Sequence, residues 1–327
     1  MTGAAGFVGS ALVRRLLEKG ERVRALVLPG ERRTAELRAL GAEVVEGDVT
    51  DEAAVARAVA GVERVFHAAA LVHGRHPWER YRHVNVGGTQ AVARAARAAG
   101  ARRLVHVSTS DVFGLPRGDQ TMDESSPFAP WGEPYPDTKI EAERWLWDFH
   151  REGELPVSVV YPGWVYGPGD DAFFPGIARV IRGGPLVFWQ RDVLLAWAYV
   201  GNLADAIILV GGSPGAVGQG YLVHDDAAGP TFEALGLRLA AILEKPTRAI
   251  YVPYAVAMTI AAGAEMLWRA ARLRGDPPLL TADVKAFGYR FRFATGKIRA
   301  LGWTPRIDVE TGMREAFAYF AARHAHS

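Results

Sequence analysis

The sequence predicts an α/β fold, in which a doubly wound parallel sheet is followed by a smaller C-terminal lobe. Strand-like and helix-like segments alternate through the first half of the chain, as they do in proteins with parallel sheets. Each strand-like segment ends in small or polar residues. A glycine-rich turn within residues 1–10 leads directly into an amphipathic helical pattern.

The glycine turn indicates a ligand as well as a fold. Gly3, Gly6 and Gly9 are spaced three apart, and the helical pattern that follows ends near Gly20. In a Rossmann unit such a turn joins the first strand to the first helix, whose free N–H groups hold a pyrophosphate. The first strand is missing from the pattern, so we expect the natural protein to begin upstream of Met1. The predicted dinucleotide contacts are Gly3, Gly6, Phe7, Val8 and Gly9.

The next elements complete the pattern of a parallel sheet. Predicted strands cover 22–28, 42–46, 62–67 and 103–107, and predicted helices cover 31–40, 53–60 and about 78–99. The carboxyl ends of parallel strands form the ligand crevice of an open sheet, and small residues there allow a ligand to approach the backbone. These ends are Gly47-Asp48, His67–Ala70 and Ser108–Ser110.

Composition excludes several other classes of protein. The 327 residues are 49% hydrophobic, and 38 basic residues nearly balance 36 acidic ones and are scattered, so we expect no nucleic-acid partner. The absence of cysteine excludes disulfides, thiolate catalysis and Cys-ligated metals, and it fits a reducing compartment. We see no pattern of a signal peptide and expect the protein in the cytoplasm.

The strongest chemical signal is the pair Tyr135-x-x-x-Lys139 in a predicted helix that runs to about His150. Positions i and i+4 share one helical face, so the ammonium can lie near the phenol oxygen. A free tyrosine has a pKa of about 10, and working as a base near pH 7 requires about 4 kcal/mol of phenolate stabilisation. A cation about 4 Å away supplies roughly that amount at an effective dielectric near 20.

Eight segments, which include the glycine turn, the strand ends and the Tyr135–Lys139 pair, together make the chain similar to the extended short-chain dehydrogenase/reductase family over nearly its whole length. Within that family it looks more like the 3β-hydroxysteroid and sterol dehydrogenase branch than the nucleotide-sugar epimerases, because of residues 199–206 and 218–223. The matching segments are Thr2–Gly9, Gly47–Asp51, His67–Ala70, Asn85–Thr89, Val107–Gly114, Tyr135–Lys139, Tyr161–Pro168 and Leu301–Pro305.

The resemblance assigns roles to the reactive residues. It implies that Tyr135 is the catalytic acid/base and that Lys139 is its electrostatic partner and a ligand of the cofactor ribose. The catalytic serine of the family falls on Thr109, with Ser108 and Ser110 as the fallback candidates. Asn85 matches a position that supports the active-site backbone or a water relay, and a helix-capping or core amide is the alternative.

The resemblance also implies the remaining cofactor contacts. Asp48 and Val49 would border the adenine, Ala68, Ala69 and Ala70 the pyrophosphate and ribose, and Pro162 to Val165 the nicotinamide.

The choice between NADP and NAD depends on the end of the second strand. NAD enzymes usually place a carboxylate there for the ribose hydroxyls. This chain has Leu26-Val27-Leu28 instead, with Arg32 and Arg33 a few residues later. The pattern favours NADP over NAD, although two solvent-facing arginines at a helix start would look the same.

The second half of the chain predicts the substrate lobe. Its aromatic residues suit an apolar or sterol-like substrate, whereas Arg179, Arg182 and Arg191 keep a nucleotide sugar open. Residues 249–264 are uncharged and precede Arg269, Arg272 and Arg274, so the segment is either a helix packed over the pocket or one in weak contact with a membrane surface.

The histidines do not predict a metal site. His73, His76 and His83 have no carboxylate partners at ligand spacing, and His224-Asp225-Asp226 fits a turn after a strand.

Three functions remain open from the sequence. The first is an NAD(P)-dependent oxidoreductase acting on a secondary alcohol or ketone of a hydrophobic substrate. The others are a nucleotide-sugar epimerase or dehydratase and a non-catalytic dinucleotide-binding regulatory protein. We expect a dinucleotide-binding domain over 1–165, mainly a substrate lobe over 166–327, and a homodimer built on the helices at 78–99 and 135–150.

Overall fold

A computed structural model of the protein describes residues 1–72, 74, 76–116, 118, 120–225, 229–245, 247–273, 277 and 279–324. The α-helices are α1 (Phe7–Glu18), α2 (Thr34–Ala39), α3 (Glu52–Val59), α4 (Trp78–Arg82), α5 (Gly88–Ala98), α6 (Pro134–Arg151), α7 (Phe173–Gly183), α8 (Val200–Gly212), α9 (Phe232–Ile242), α10 (Tyr254–Ala270), α11 (Thr281–Ala286), α12 (Gly296–Ala300) and α13 (Val309–His324).

The strands follow the predicted alternation. They are β1 (Arg24–Val27), β2 (Glu43–Glu46), β3 (Arg64–His67), β4 (Arg103–Val107), β5 (Thr121–Met122), β6 (Val157–Pro162), β7 (Trp164–Tyr166), β8 (Leu186–Phe188), β9 (Trp197–Tyr199), β10 (Gln219–Val223), β11 (Ala249–Tyr251) and β12 (Arg292–Phe293).

The central sheet is parallel throughout. Strand β2 pairs with β1, and the order β3-β4-β6-β10 forms the other part of the sheet. Met1 and Thr2 lie between β1 and β3 and bond to both: Leu26 N–H donates to the Met1 carbonyl at 2.8 Å, and Thr2 N–H donates to the Phe66 carbonyl at 3.0 Å. The α/β fold and the doubly wound parallel sheet are confirmed.

Helices cover both faces of this sheet, because its strands are buried on both sides. One apolar core lies between the sheet and α3, α5 and α6, and it contains Leu104, Ile140 and Leu146. The other lies between the sheet and α1 and α8, and it contains Leu12 and Leu203.

A third apolar core lies in the C-terminal half and belongs to α7, β8, β9, α9 and α13. Not all of the chain after residue 165 lies there. Strand β10 joins the central sheet beside β6, and α8 is tied to α1 by the Arg15–Asp205 ion pair at 2.6 Å. Segments of the C-terminal half therefore return to the sheet; the boundary between a cofactor domain and a substrate lobe stays a prediction.

The long predicted helix at 78–99 contains a π-helical turn. Its α4 and α5 segments are joined by a π-helix over His83–Gly87, which carries Asn85. π-turns inside α-helices are frequent at functional sites.

The glycine turn depends on two close backbone approaches. Gly3 has φ +67°, and a Cβ there would lie 2.6 Å from Ala69 N. A Cβ on Gly9 would lie 1.9 Å from the Gly3 carbonyl oxygen. Glycine at these positions lets the start of α1 close onto the ends of the neighbouring strands.

We expect Gly9→Ala to lower the free energy of unfolding by about 1–3 kcal/mol, because the added methyl group forces the turn open. Gly263→Ala, in α10 with open space around the added Cβ, is the matched control and should raise it by about 0.5–1 kcal/mol. Urea unfolding of both variants measures the difference. Equal effects of the two substitutions would contradict the close packing of the turn.

Candidate active site

The predicted reactive residues converge at one edge of the central sheet, where the carboxyl ends of β3, β4 and β6 meet the first turns of α1 and α6. Thr109 follows β4, and Tyr135 lies in the first turn of α6. A side-chain hydrogen bond with Thr109 lowers the pKa of the Tyr135 phenol. Burial acts in the opposite direction and leaves that pKa well above its ordinary value.

Asp111 is a site residue that the sequence did not single out. It lies in the short 3₁₀ turn Ser110–Phe113, and its backbone N–H donates to Thr109 Oγ1 at 3.2 Å. Burial raises the pKa of its carboxyl to about 6. Above that pH the charge of Asp111 raises the pKa of Tyr135 further. In this arrangement the phenol is protonated and suited to donate a proton.

Lys139 is placed differently from the expectation that its ammonium lies beside the phenol. The side chain is 2% exposed, and Nζ lies 3.0 Å from His106 Nε2 and 2.9 Å from the Val107 carbonyl oxygen. These are its hydrogen-bond partners in the described part of the chain. Burial lowers the pKa of Lys139 to about 8, and the charge of Glu143 opposes the decrease.

Glu143 is buried one turn after Lys139 on the same helical face. Its carboxylate accepts hydrogen bonds from Ser108 Oγ at 2.8 Å, from Trp147 Nε1 at 3.0 Å and from the Tyr161 hydroxyl. Burial nevertheless raises the pKa of this carboxyl. Ser108 is therefore occupied with Glu143, and Thr109 is the hydroxyl that acts on the pKa of Tyr135.

Asn85 links the loop after β3 to α6. Its Oδ1 accepts from Leu71 N–H at 2.7 Å, and its Nδ2 donates to the Leu71 carbonyl at 3.1 Å and to Thr138 Oγ1 at 3.0 Å. The side chain is 1% exposed. These contacts hold the loop after β3 against α6, and support of the active-site backbone by Asn85 stays a prediction.

The start of α1 fits the pyrophosphate of a dinucleotide. Gly6 is the N-cap and supplies no side-chain bond, and the first turn after it contains no acidic residue. The first N–H groups of the helix are therefore available to an anion. Phe7 and Val8 open this turn, and Phe7 also lies against Gly169.

Other predicted cofactor contacts follow the carboxyl ends of β3 and β6. Ala68, Ala69 and Ala70 follow β3 and are half-buried, and Ala68 N–H donates to the Thr2 carbonyl at 3.3 Å. Pro162 ends β6, and Val165 lies half-buried in β7.

Asp48 and Val49 lie in the turn after β2. Asp48 Oδ1 accepts from the N–H and the hydroxyl of Thr50, both at 2.9 Å, so this carboxylate stabilises its own turn. Val49 is buried against Gly88.

The two arginines of the cofactor prediction differ in placement. Arg32 is exposed. Arg33 lies against the glycine turn, where Nη1 donates to the Ala5 carbonyl at 3.3 Å. Its Nη2 donates to the Gly169 carbonyl at 3.1 Å and pairs with Asp171.

Four half-buried aromatic residues form a continuous wall that begins directly after β6. Phe232 and Phe287 stack with ring centroids 4.1 Å apart, and Trp164 lies 5.0 Å from Phe173 and 5.2 Å from Phe287. We call Trp164, Phe173, Phe232 and Phe287 the aromatic wall. Other aromatic residues of the second half are instead buried in the third core, among them Phe174, Phe188, Trp197 and Tyr199.

His224 and Asp225, which follow β10, make structural contacts. His224 Nε2 lies 2.8 Å from the Phe293 carbonyl, and Asp225 accepts from the Tyr166 hydroxyl at 2.9 Å. His73, Asp226 and Arg274 lie outside the described residues. Within the described residues no group of three or more His, Asp or Glu side chains could hold a metal ion.

Sequence reasoning missed three polar residues that organise the site: the half-buried Asp111 and the buried His106 and Glu143. Two of them carry a signal in hindsight. A histidine in the middle of an otherwise apolar strand needs a polar partner, and Glu143 repeats the spacing of four that joins Tyr135 to Lys139.

Comparison with known proteins matches residues 1–223 to the family described as NAD dependent epimerase/dehydratase. A 2-alkyl-3-oxoalkanoate reductase of Stenotrophomonas maltophilia (strain K279a) is 32% identical over 336 residues, which cover 98% of this chain and 99% of the relative. A 3-beta-hydroxysteroid dehydrogenase of Mycolicibacterium neoaurum is 28% identical over 355 residues, with coverage of 98% and 90%. The solved structure of gox2253 superposes with a TM-score of 0.81 at 27% identity, over 99% and 98% of the two chains.

Proposed function

The chain belongs to the NAD dependent epimerase/dehydratase family, and we propose that it reduces a ketone of a hydrophobic substrate to a secondary alcohol. The protein is an NAD(P)-dependent oxidoreductase of the extended short-chain dehydrogenase/reductase type, which confirms the predicted resemblance.

The observation that carries this proposal is the Thr109–Tyr135 pair at the edge of the central sheet where β6 leads into the aromatic wall at Trp164. The pair offers two hydroxyl groups to a carbonyl oxygen, and the wall offers apolar surface to the rest of the substrate. The names of the two relatives support a 3-oxo acid or a sterol-like molecule as the substrate class. A sugar diphosphate would require several convergent cations, which this wall does not provide.

The mechanism follows from the site residues. Thr109 and Tyr135 would orient the substrate oxygen, and Tyr135 would donate the proton to it as the alcohol forms. Lys139 would supply positive charge to the phenolate that remains. A nicotinamide cofactor, when bound, supplies the hydride; Gly3, Gly6, Phe7, Val8 and Gly9 would hold its pyrophosphate.

We expect Tyr135→Phe to lower turnover by at least about 10²-fold, because it removes the proton donor and keeps the ring. Thr109→Val should also impair turnover, and Thr109→Ser is the matched control that retains the hydroxyl. Steady-state kinetics with NADPH measure these effects, and cofactor titration should show unchanged binding for Tyr135→Phe. Near-normal turnover of Tyr135→Phe would contradict the assigned role.

A substrate screen separates the three functions. Cofactor oxidation with 2-alkyl-3-oxo acids, their esters and 3-oxosteroids supports the reductase. Conversion of a nucleotide sugar without net change in the cofactor would indicate an epimerase or dehydratase instead. Cofactor binding with no turnover of either class would favour the non-catalytic regulatory protein.

We also propose that the enzyme prefers NADPH and that Arg33 recognises its 2′-phosphate. The guanidinium of Arg33 lies beside the glycine turn at Ala5, whereas Arg32 is exposed. A phosphate is a stronger partner for a guanidinium than the half-exposed carboxylate that Arg33 now contacts.

Arg33→Gln should lower the preference for NADPH over NADH by about 10–100-fold, the range expected for losing hydrogen bonds to a charged group. Arg32→Gln is the matched control and should change it little. Ratios of kcat/KM for the two cofactors measure the preference. A larger effect of Arg32→Gln would reverse the assignment.

We also propose a homodimer in which α5 and α6 form the interface. Ile140 on α6 is 3% exposed and lies in the first apolar core, so it is not available to a partner. Trp145 is half-buried, stacks on Phe149 and lies below the Arg94 guanidinium. Trp145 is therefore the aromatic residue of α6 that would contact the partner. Sedimentation of the wild type as a monomer at micromolar concentration would contradict the dimer.

Helix α10 presents an apolar face to solvent, and we propose that this face contacts the cytoplasmic surface of a membrane. Ile260, Met266 and Leu267 are 56%, 68% and 58% exposed, and the basic residues Arg269 and Arg272 lie at the end of the helix. Apolar side chains beside arginines fit a helix lying on an anionic lipid surface. Among the described helices, none is long and apolar enough to cross a bilayer.

Ile260→Lys should reduce binding to vesicles that contain anionic lipid, because the charge opposes burial of the apolar face. Val180→Lys, at a comparably exposed site on α7, is the matched control and should bind like the wild type. Vesicle co-sedimentation measures the bound fraction. Equal binding of the two variants would contradict the contact.

A further inference from the structure

We propose that His106 is a positioning residue for the reaction: its Nε2 accepts a hydrogen bond from Lys139 and fixes the helix that carries Tyr135 against the strand that leads to Thr109. The inference rests on the proposed roles of Tyr135 and Lys139. We call the contacts of Lys139 Nζ with His106 Nε2 and the Val107 carbonyl the Lys139 anchor.

The anchor joins the two elements that carry the reacting hydroxyl groups. Lys139 lies one turn after Tyr135 on α6, and Val107 is the last residue of β4, two residues before Thr109. Both hydrogen bonds of the anchor therefore cross from the helix to the strand close to the Thr109–Tyr135 pair. Loss of one of these bonds would make the distance between the Thr109 and Tyr135 hydroxyl groups more variable.

The chemistry of the contact determines the state of the imidazole. An ammonium group has only donors, so the ring nitrogen at 3.0 Å must be the acceptor. His106 is then neutral and carries its proton on Nδ1. Its complete burial and the neighbouring charge of Lys139 lower the pKa of His106 well below its ordinary value, which agrees with the neutral form.

The groups around the anchor provide no direct ionic partner for the ammonium. From α6, Glu143 directs its oxygens to Ser108, Trp147 and Tyr161, and the described residues contain no ion pair between Glu143 and Lys139. From β3, His67 lies opposite His106 with ring centroids 5.2 Å apart. Burial lowers the pKa of His67 to about 3, so that ring adds no charge near neutral pH.

The buried ammonium therefore depends on two neutral acceptors and on the more distant charge of Glu143. Removing Nε2 leaves the Val107 carbonyl as the direct acceptor, which disfavours the charged form of Lys139. A group with a lowered pKa loses its proton at lower pH. The positive charge at the Lys139 anchor would then be lost at a pH below the value of about 8 found with His106 present.

Two substitutions separate an acceptor role from a packing role. His106→Gln keeps a side-chain acceptor, and His106→Phe keeps a ring of similar size without one. We expect His106→Phe to lower kcat by about 10-fold or more at pH 8, with a smaller loss at pH 6, and the alkaline limb of its pH profile to move to lower pH. His106→Gln should retain the wild-type limb.

A second measurement requires neither turnover nor cofactor. Nitrogen NMR of the ring-labelled histidines, assigned by the signal missing from His106→Gln, should show an unprotonated Nε2 and a protonated Nδ1 between pH 6 and pH 8 in the wild type. This readout remains available if His106→Phe does not fold.

Several results would overturn the inference. They are a protonated Nε2 on His106, a His106→Phe variant with the wild-type pH profile, or a His106→Gln variant with the same displaced limb as His106→Phe. Failure of the proposed function has a different signature: Tyr135→Phe and Lys139→Met would leave turnover intact, while the NMR signal still reported Nε2 as an acceptor.

Discussion

A single buried cation between α6 and β4 constrains the arrangement of the active site. Taking an ammonium group out of water is costly unless polar atoms compensate for its lost hydration. The polar residues of this helix–strand interface meet that requirement around Lys139: a ring nitrogen and a carbonyl oxygen bind it directly, and Glu143 contributes negative charge from the next turn. The same interface continues into the apolar core at Leu104 and Leu146, so the helix is fixed by packing and oriented by hydrogen bonds.

The fold was predictable because its signals are local and repeated. Alternating strand and helix patterns and the glycine spacing identify the parallel sheet and the start of α1, and the observed β4 agrees with the predicted range. The positions of Thr109 and Tyr135 followed from the same logic, since a strand end and a helix start must meet at the edge of a parallel sheet. The π-turn around Asn85 could not be predicted in this way, because its helical pattern differs little from that of a continuous α-helix.

The direction of the Lys139 side chain was also beyond the sequence. A spacing of four places Lys139 and Tyr135 on one face, but it does not decide whether a long flexible chain points along the helix or across to the strand. That choice depends on His106, 33 residues earlier in the chain. The placement of neighbouring aromatic residues likewise depends on residues distant in the sequence. Phe173 lies in the aromatic wall, whereas Phe174 lies in the third core.

The guanidinium of Arg33 connects the glycine turn to the loop before α7. It contacts Ala5 in the turn, and Gly169 and Asp171 in the loop. A ligand group that competes for this guanidinium also changes the contacts of that loop. Binding free energies are linked reciprocally, so a substrate that stabilises one position of the loop must change cofactor affinity by the same factor that the cofactor changes substrate affinity. Through this one side chain the affinities for the two ligands would be coupled, whichever of them binds first.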